Sequence, residues 1–279
     1  MSADPVRPSP IAGAWYPGEA GAIRAEVERY LADVPAASLP ARLVALIAPH
    51  AGLRYSGPVA AHAYATLRGR ARLVAVLVGP SHRASFDGVA LYARGAFETP
   101  LGRAVVDEAT AARLLEGGGV IEADARPHRL EHSLEMQLPF LQHLVADLRI
   151  VPLLMGSQTR DAVDALAAAL AGVADVPDIL WIASSDLSHY HPAPIANRLD
   201  AEVIEEVEAF RPEGLMDLLE RSHEHACGGG PMVAVMKAAR AAGAGSTRVL
   251  RYADSGDAGE RDKSRVVGYL AAALMDAAP

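Results

Sequence analysis

Histidine recurs at one kind of position in this chain. The apolar run Leu43–Ala48 leads into Pro49-His50-Ala51-Gly52, and the run Leu73–Val78 into Gly79-Pro80-Ser81-His82. A third run, Ile179–Ala183, leads into Ser184-Ser185-Asp186-Leu187-Ser188-His189. Imidazole and carboxylate groups together bind a metal or carry out acid–base chemistry. Two imidazoles and a carboxylate on one face, with open positions left over, suit Fe(II). Any one of these histidines could instead satisfy a loop carbonyl or cap a helix. Their repetition after three similar runs favours a shared site at His50, His82, Asp186 and His189.

The one cysteine adds a fourth element. Cys227 lies in His225-Ala226-Cys227-Gly228-Gly229-Gly230-Pro231, before an apolar stretch from Met232 to Ala239 that reads as a helix. A thiol at a helix N-terminus is expected to have a lowered pKa, and the thiolate binds metals or attacks electrophiles. The glycines allow close backbone approach to whatever the thiol faces. The bland alternative is a small buried hydrophobe. A further group, His128, His132 and Glu135, would place both histidines on one face if the segment were helical. The intervening Glu131 is not where a zinc protease keeps its general base. Glu131 and His132 are therefore expected behind the pocket or along its wall, with a solvated helix start as the other reading.

The elements that must position these residues are short buried strands alternating with amphipathic helices. The runs named above, with Ile150–Met155, are Leu- and β-branched-rich and bounded by Gly, Pro or Ser, as strands buried on both faces would be. Val163, Leu166 and Leu170 line one helical face that Thr159 would cap. Ile195, Leu199, Val203 and Val207 form a second stripe, with Asp200 and several glutamates mostly outside it. Leu134, Leu138, Leu141 and Val145 form a third, which Pro139 should kink or shorten. Val249–Ala253 and Val266–Ala271 read as strands flanking the polar segment from Asp254 to Lys263. The expectation is one α/β domain over residues 1–279 with a largely parallel or mixed central sheet. In such a sheet ligands bind outside the carboxyl ends of the strands, where the histidines fall.

Composition bounds the function. Hydrophobic residues make up 51% of the 279 and charged residues 22%, a globular balance. A net charge of −8 disfavours a general nucleic-acid binder. One cysteine excludes an intramolecular disulfide framework, so a reducing compartment is expected. No stretch is apolar for the roughly 18 residues of a membrane span, and Met1 to Ala20 lacks a signal-peptide core. A cytoplasmic protein away from membranes is the expectation.

Five ordered motifs carry a resemblance. They are Ala12-Gly13-Ala14-Trp15-Tyr16-Pro17, Pro49-His50-Ala51-Gly52-Leu53-Arg54-Tyr55-Ser56-Gly57, Gly79-Pro80-Ser81-His82, Glu131-His132-Ser133-Leu134-Glu135 and Ser184-Ser185-Asp186-Leu187-Ser188-His189-Tyr190. Together they closely resemble the Memo (mediator of cell motility) family, whose prokaryotic members are called AmmeMemoRadiSam system protein B, from about Arg7 to Leu274. That family is structurally similar to class III extradiol dioxygenases, which implies a three-layer α/β/α sandwich. The resemblance places the pocket on His50, His82, Asp186, His189 and Cys227. It implies iron or copper, Fe(II) or Cu, on His50, His82 and Cys227, with Asp186 and His189 completing the shell or moving protons. Adventitious zinc competes for such donors. The resemblance also implies redox chemistry, and partners of the radical S-adenosylmethionine and AMMECR types. Leu53 departs from the family, where an aromatic is common, a change expected on the pocket wall. The family itself carries a thiol where ring-cleaving enzymes use harder ligands. Two other readings stand beside the metal site. One is a hydrolase or transferase with Cys227 as nucleophile, His189 as base and Asp186 orienting it. The other is a binding or adaptor protein with a vestigial pocket.

Overall fold

The computed structural model describes residues 5–35, 39–117, 119–258 and 262–277. The described strands are β1 (Val6–Arg7), β2 (Leu43–Ala48), β3 (Arg72–Pro80), β4 (Val89–Leu91), β5 (Ala96–Thr99) and β6 (Gly102–Val106). They continue with β7 (Ile121–Ala123), β8 (Asp147–Met155), β9 (Ile179–Ser184), β10 (Asp186–His191), β11 (Ala244–Asp254) and β12 (Val266–Asp276). The helices are α1 (Ala20–Ala32), α2 (Leu53–Tyr64), α3 (Glu108–Glu116), α4 (Leu138–Leu144), α5 (Arg160–Ala171), α6 (Ala193–Glu208), α7 (Pro212–Arg221) and α8 (Gly229–Ala241).

The strands form one mixed sheet in the order β1-β5-β6-β8-β3-β9-β2-β12-β10, with β11 added to β12 and β4 joining β8 to β7. From β6 to β2 every neighbouring pair is parallel. β2 is buried along its whole length and β3 and β9 along nearly all of it, as strands covered on both faces must be. Two groups of helices supply that cover. α5, α7 and α8 pack together, with α8 on β2, β3 and β9, while α1, α2 and α4 pack together, with α2 on β2 and β12. The result is a single α/β architecture with helices on either side of the sheet. β12 is antiparallel to its neighbours. One of its edges carries β11, and the other carries β2 and then β10.

The predicted strands and the capped helix are all present. The Thr159 hydroxyl accepts the Ala162 N–H at the start of α5. Pro139 falls in the first turn of α4, where its missing N–H leaves no bond unmade, so the helix begins there after a 3₁₀ turn at Glu135–Gln137. In α6, Leu199, Val203 and Val207 are buried but Ile195 is 41% exposed. Asp200 is buried instead, accepting the Ser188 N–H and the Tyr252 hydroxyl. A Cβ on Gly268 would lie 2.0 Å from its carboxylate, so β12 is glycine there. Hydrogen-bond demand thus overrides the apolar stripe. No helix among the described residues is long and apolar enough to cross a membrane.

Candidate metal centre

Parallel register brings the strand ends together. Ala48 of β2 pairs with Ser184 of β9, and Ala183 with Val78 of β3. His50 and His82 each follow their strand by two residues, so both leave the same edge of the sheet. β10 starts beside that edge, which delivers Asp186 and His189. The Asp186 carboxylate accepts the backbone N–H of His50 at 2.7 Å and of Ala51 at 3.3 Å, tying the two loops together.

Among the described residues the group with converging donors is His50, His82 and His132, whose ligand atoms all lie within 4.8 Å of one another. Ring centroids are 5.2 Å apart for His50 and His82, 5.4 Å for His50 and His132, and 4.5 Å for His82 and His132. Each ring is held from behind. His50 Nδ1 bonds Ser184 Oγ at 2.8 Å. His82 Nδ1 bonds Glu131 Oε1 at 2.9 Å, and its backbone N–H donates to Glu131 Oε2. His132 packs on Trp15, centroid to centroid 4.2 Å. Its buried Nδ1 lies 3.2 Å from Glu131 Oε1 but out of line, and has no hydrogen-bond partner among the described residues. Three imidazoles, one with an orphaned nitrogen and one backed by a carboxylate, fit a divalent metal.

Electrostatics agree with that fit. Burial, reinforced by the neighbouring imidazoles, keeps His50 far below the usual histidine pKa and pushes His132 down to about 3. Both are therefore neutral donors at physiological pH, the form that ligates. Glu131 is buried, which opposes its charge. The His82 contacts, the Ser133 N–H and His132 outweigh that and hold it well below the usual carboxylate range. Burial pushes Asp186 up to about 6 against the two N–H bonds it accepts.

Cys227 adjoins the group through His50, its Sγ 3.2 Å from Nε2. A Cβ on Gly228 would sit 2.4 Å from the Ser184 carbonyl oxygen, so glycine is what lets the start of α8 close on β9 and seat the thiol. The expected lowering of the thiol pKa does not occur. Burial and the Asp186 charge push it up, because the helix begins beyond Cys227 and the sulfur faces protein. His189 donates Nδ1–H to the Leu187 carbonyl at 2.8 Å, leaving Nε2 unprotonated when neutral.

These groups open into a cleft of about 620 Å³ lined by His50, His82, His132, Asp186 and His189, with Trp15, Arg54, Tyr55, Tyr190, Arg265 and Tyr269 around them. Leu53 is buried and does not line this cleft. A second cleft of about 540 Å³, between α5 and α7, reaches Cys227 from the other side. His128 and His132 do not share a helix face. A 3₁₀ turn at Pro127–Leu130 is followed by extended Glu131, and His128 turns away to the Ala90 carbonyl. Sequence reasoning set His132 beside the pocket, and the fold puts it in the converging group. Its adjacency to Glu131 was the available signal. Ser184 and Gln137, which seat His50, gave none.

The fold and site define an α/β protein with a histidine-rich pocket at the carboxyl edge of its sheet. The profile of the Memo-like protein family matches residues 7–273, and the chain belongs to that family. A MEMO1 family protein of Methanothermobacter thermautotrophicus is 36% identical over 273 residues, covering 95% of this chain and 98% of its own. One from Methanopyrus kandleri is 37% identical, covering 94% and 96%, and one from Sulfolobus acidocaldarius 36%, covering 97% and 100%. An uncharacterized Escherichia coli K12 protein, JW3007, of known structure shares the fold with a TM-score of 0.55 at 16% identity, over 83% of this chain and 99% of its own.

Proposed function

We propose that this Memo-family protein is a metal-dependent redox protein whose iron or copper ion is held by His50, His82 and His132, with Cys227 as a soft donor beside His50. The observation that carries the reading is the convergence of three imidazoles, each braced from outside. When bound, such an ion supplies one-electron chemistry. The chain's own groups do the rest. Asp186, with its pKa near 6, holds or releases a proton close to neutrality, and Nε2 of His189 accepts one at the cleft wall. The cleft is of small-molecule size. By family resemblance, the protein works in a multi-component system with a radical S-adenosylmethionine protein and an AMMECR-type protein. Co-purification with both partners would support that role, and purification of the chain free of both from cells that make them would count against it. A metal-free cysteine nucleophile is disfavoured, because the thiol pKa is raised and His189 is oriented by the Leu187 carbonyl, not by Asp186.

The test is elemental analysis with electron paramagnetic resonance on protein purified without oxygen. Near-stoichiometric iron or copper is expected in the wild type, lost in His50→Ala and strongly reduced in His132→Ala, with an altered spectrum in Cys227→Ser. Full metal content in His50→Ala would overturn the reading.

A further inference from the structure

We propose that Ser184 is a positioning residue that fixes which nitrogen of His50 carries the proton, leaving Nε2 as the ring's only free lone pair. A serine hydroxyl has one proton to give and two lone pairs to receive with. Ser184 Oγ lies 2.7 Å from the Ser133 carbonyl oxygen, a group that can only accept, so the proton goes there. Gln137 Nε2 lies 2.8 Å from the same Oγ and donates to one lone pair. Its amide orientation is forced, because Nε2 also faces the Pro49 and Ser133 carbonyls at 3.2 and 3.3 Å. On its other side, Tyr64 donates its hydroxyl to Gln137 Oε1. The second lone pair of Ser184 is left for His50 Nδ1, 2.8 Å away, which must therefore donate. The tautomer follows by elimination, with Nδ1 protonated and Nε2 bare. All four members, Tyr64, Gln137, Ser184 and His50, are buried, so water does not compete for these positions.

Cys227 offers a rival cause. Its thiol lies 3.2 Å from Nε2 and could set the same tautomer by donating S–H. The two causes separate by mutation. Selectively ¹⁵N-histidine-labelled, metal-free protein is examined by long-range ¹H–¹⁵N NMR, with His50→Gln used to assign the His50 signals. The wild type is expected to hold one neutral tautomer with the proton on Nδ1. Ser184→Ala should populate the Nε2-protonated form, Ser184→Thr should restore the wild-type pattern, and Cys227→Ala should leave it unchanged. A proton on Nε2 in the wild type overturns the proposal, and that result needs no variant to fold. So does an unchanged tautomer in Ser184→Ala, or its loss in Cys227→Ala. An affinity measurement depends on the metal reading as well. Zn(II), titrated against a chelator, should bind Ser184→Ala about 10- to 100-fold more weakly, the usual effect of removing a group that orients a ligand. Failure of the wild type to bind Zn(II) would count against the metal reading, while the NMR measurement would still decide the tautomer.

Discussion

Replacing Arg7 by methionine tests the link between packing and the pocket. Arg7 and Glu135 form an ion pair at 2.5 Å with side-chain exposures of 3% and 0%. Arg7 Nε also donates to the His128 carbonyl at 2.5 Å, and Nη2 donates to the Glu131 carbonyl. Glu135 accepts the hydroxyls of Tyr16 and Ser9. A two-residue strand at the start of the fold thus clamps the loop that carries Glu131 and His132. Removing one partner of a buried pair strands the other charge and costs about 3–5 kcal/mol. Unfolding entropy is about 2.1 cal/mol/K per residue, so a chain of 279 residues gains roughly 0.6 kcal/mol/K at its midpoint. Arg7→Met should therefore lower the melting temperature by about 5–9 °C. The double variant Arg7→Met/Glu135→Gln, which removes the stranded carboxylate, should recover part of the loss with a coupling energy on the order of 2 kcal/mol. Calorimetry on the four proteins of the cycle measures both. A drop in melting temperature under about 2 °C for Arg7→Met, or a double variant no better than the single, would refute the reasoning.

Two further outcomes follow from the geometry. Glu131→Gln keeps the shape of the side chain but removes the charge and one acceptor from His82, His132 and Ser133. Metal affinity should fall about 10- to 100-fold by chelator competition, and an unchanged affinity would show that Glu131 does not orient His82. His128 is buried and held to about 4 by burial, so between the unfolded value near 6.5 and that value the unfolded chain binds a proton the folded one refuses. Stability is then complete above about pH 6.5 and declines as pH falls, by on the order of 3 kcal/mol at pH 4 from this residue. Urea midpoints measured from pH 7 to 4 should fall in the wild type and fall less steeply in His128→Gln. Parallel slopes would contradict the assignment.

The strand ends were legible because burial on both faces leaves a plain signature. β2, β3, β8 and β9 are nearly continuous apolar runs, and the residues just past them are polar for a reason. That argument reaches His50, His82 and Asp186. It does not reach His132, which leaves no strand and enters the group through a loop held by Arg7, its ring packed at a tilt against Trp15, contacts more than a hundred residues apart in sequence. Asp200 was illegible for a similar reason. Its helix periodicity marks it as polar surface, and only the tertiary bond to Ser188 shows why it is buried. The Cys227 thiol misled in the opposite direction, because proximity to a helix start says nothing of desolvation.

The most direct measurement is a crystal structure of the protein loaded with Fe(II) without oxygen, with diffraction recorded on both sides of the iron absorption edge. One anomalous peak per chain within bonding distance of His50, His82 and His132 is the expected result. A stoichiometric peak elsewhere, or none at those imidazoles in fully loaded crystals, would contradict the account.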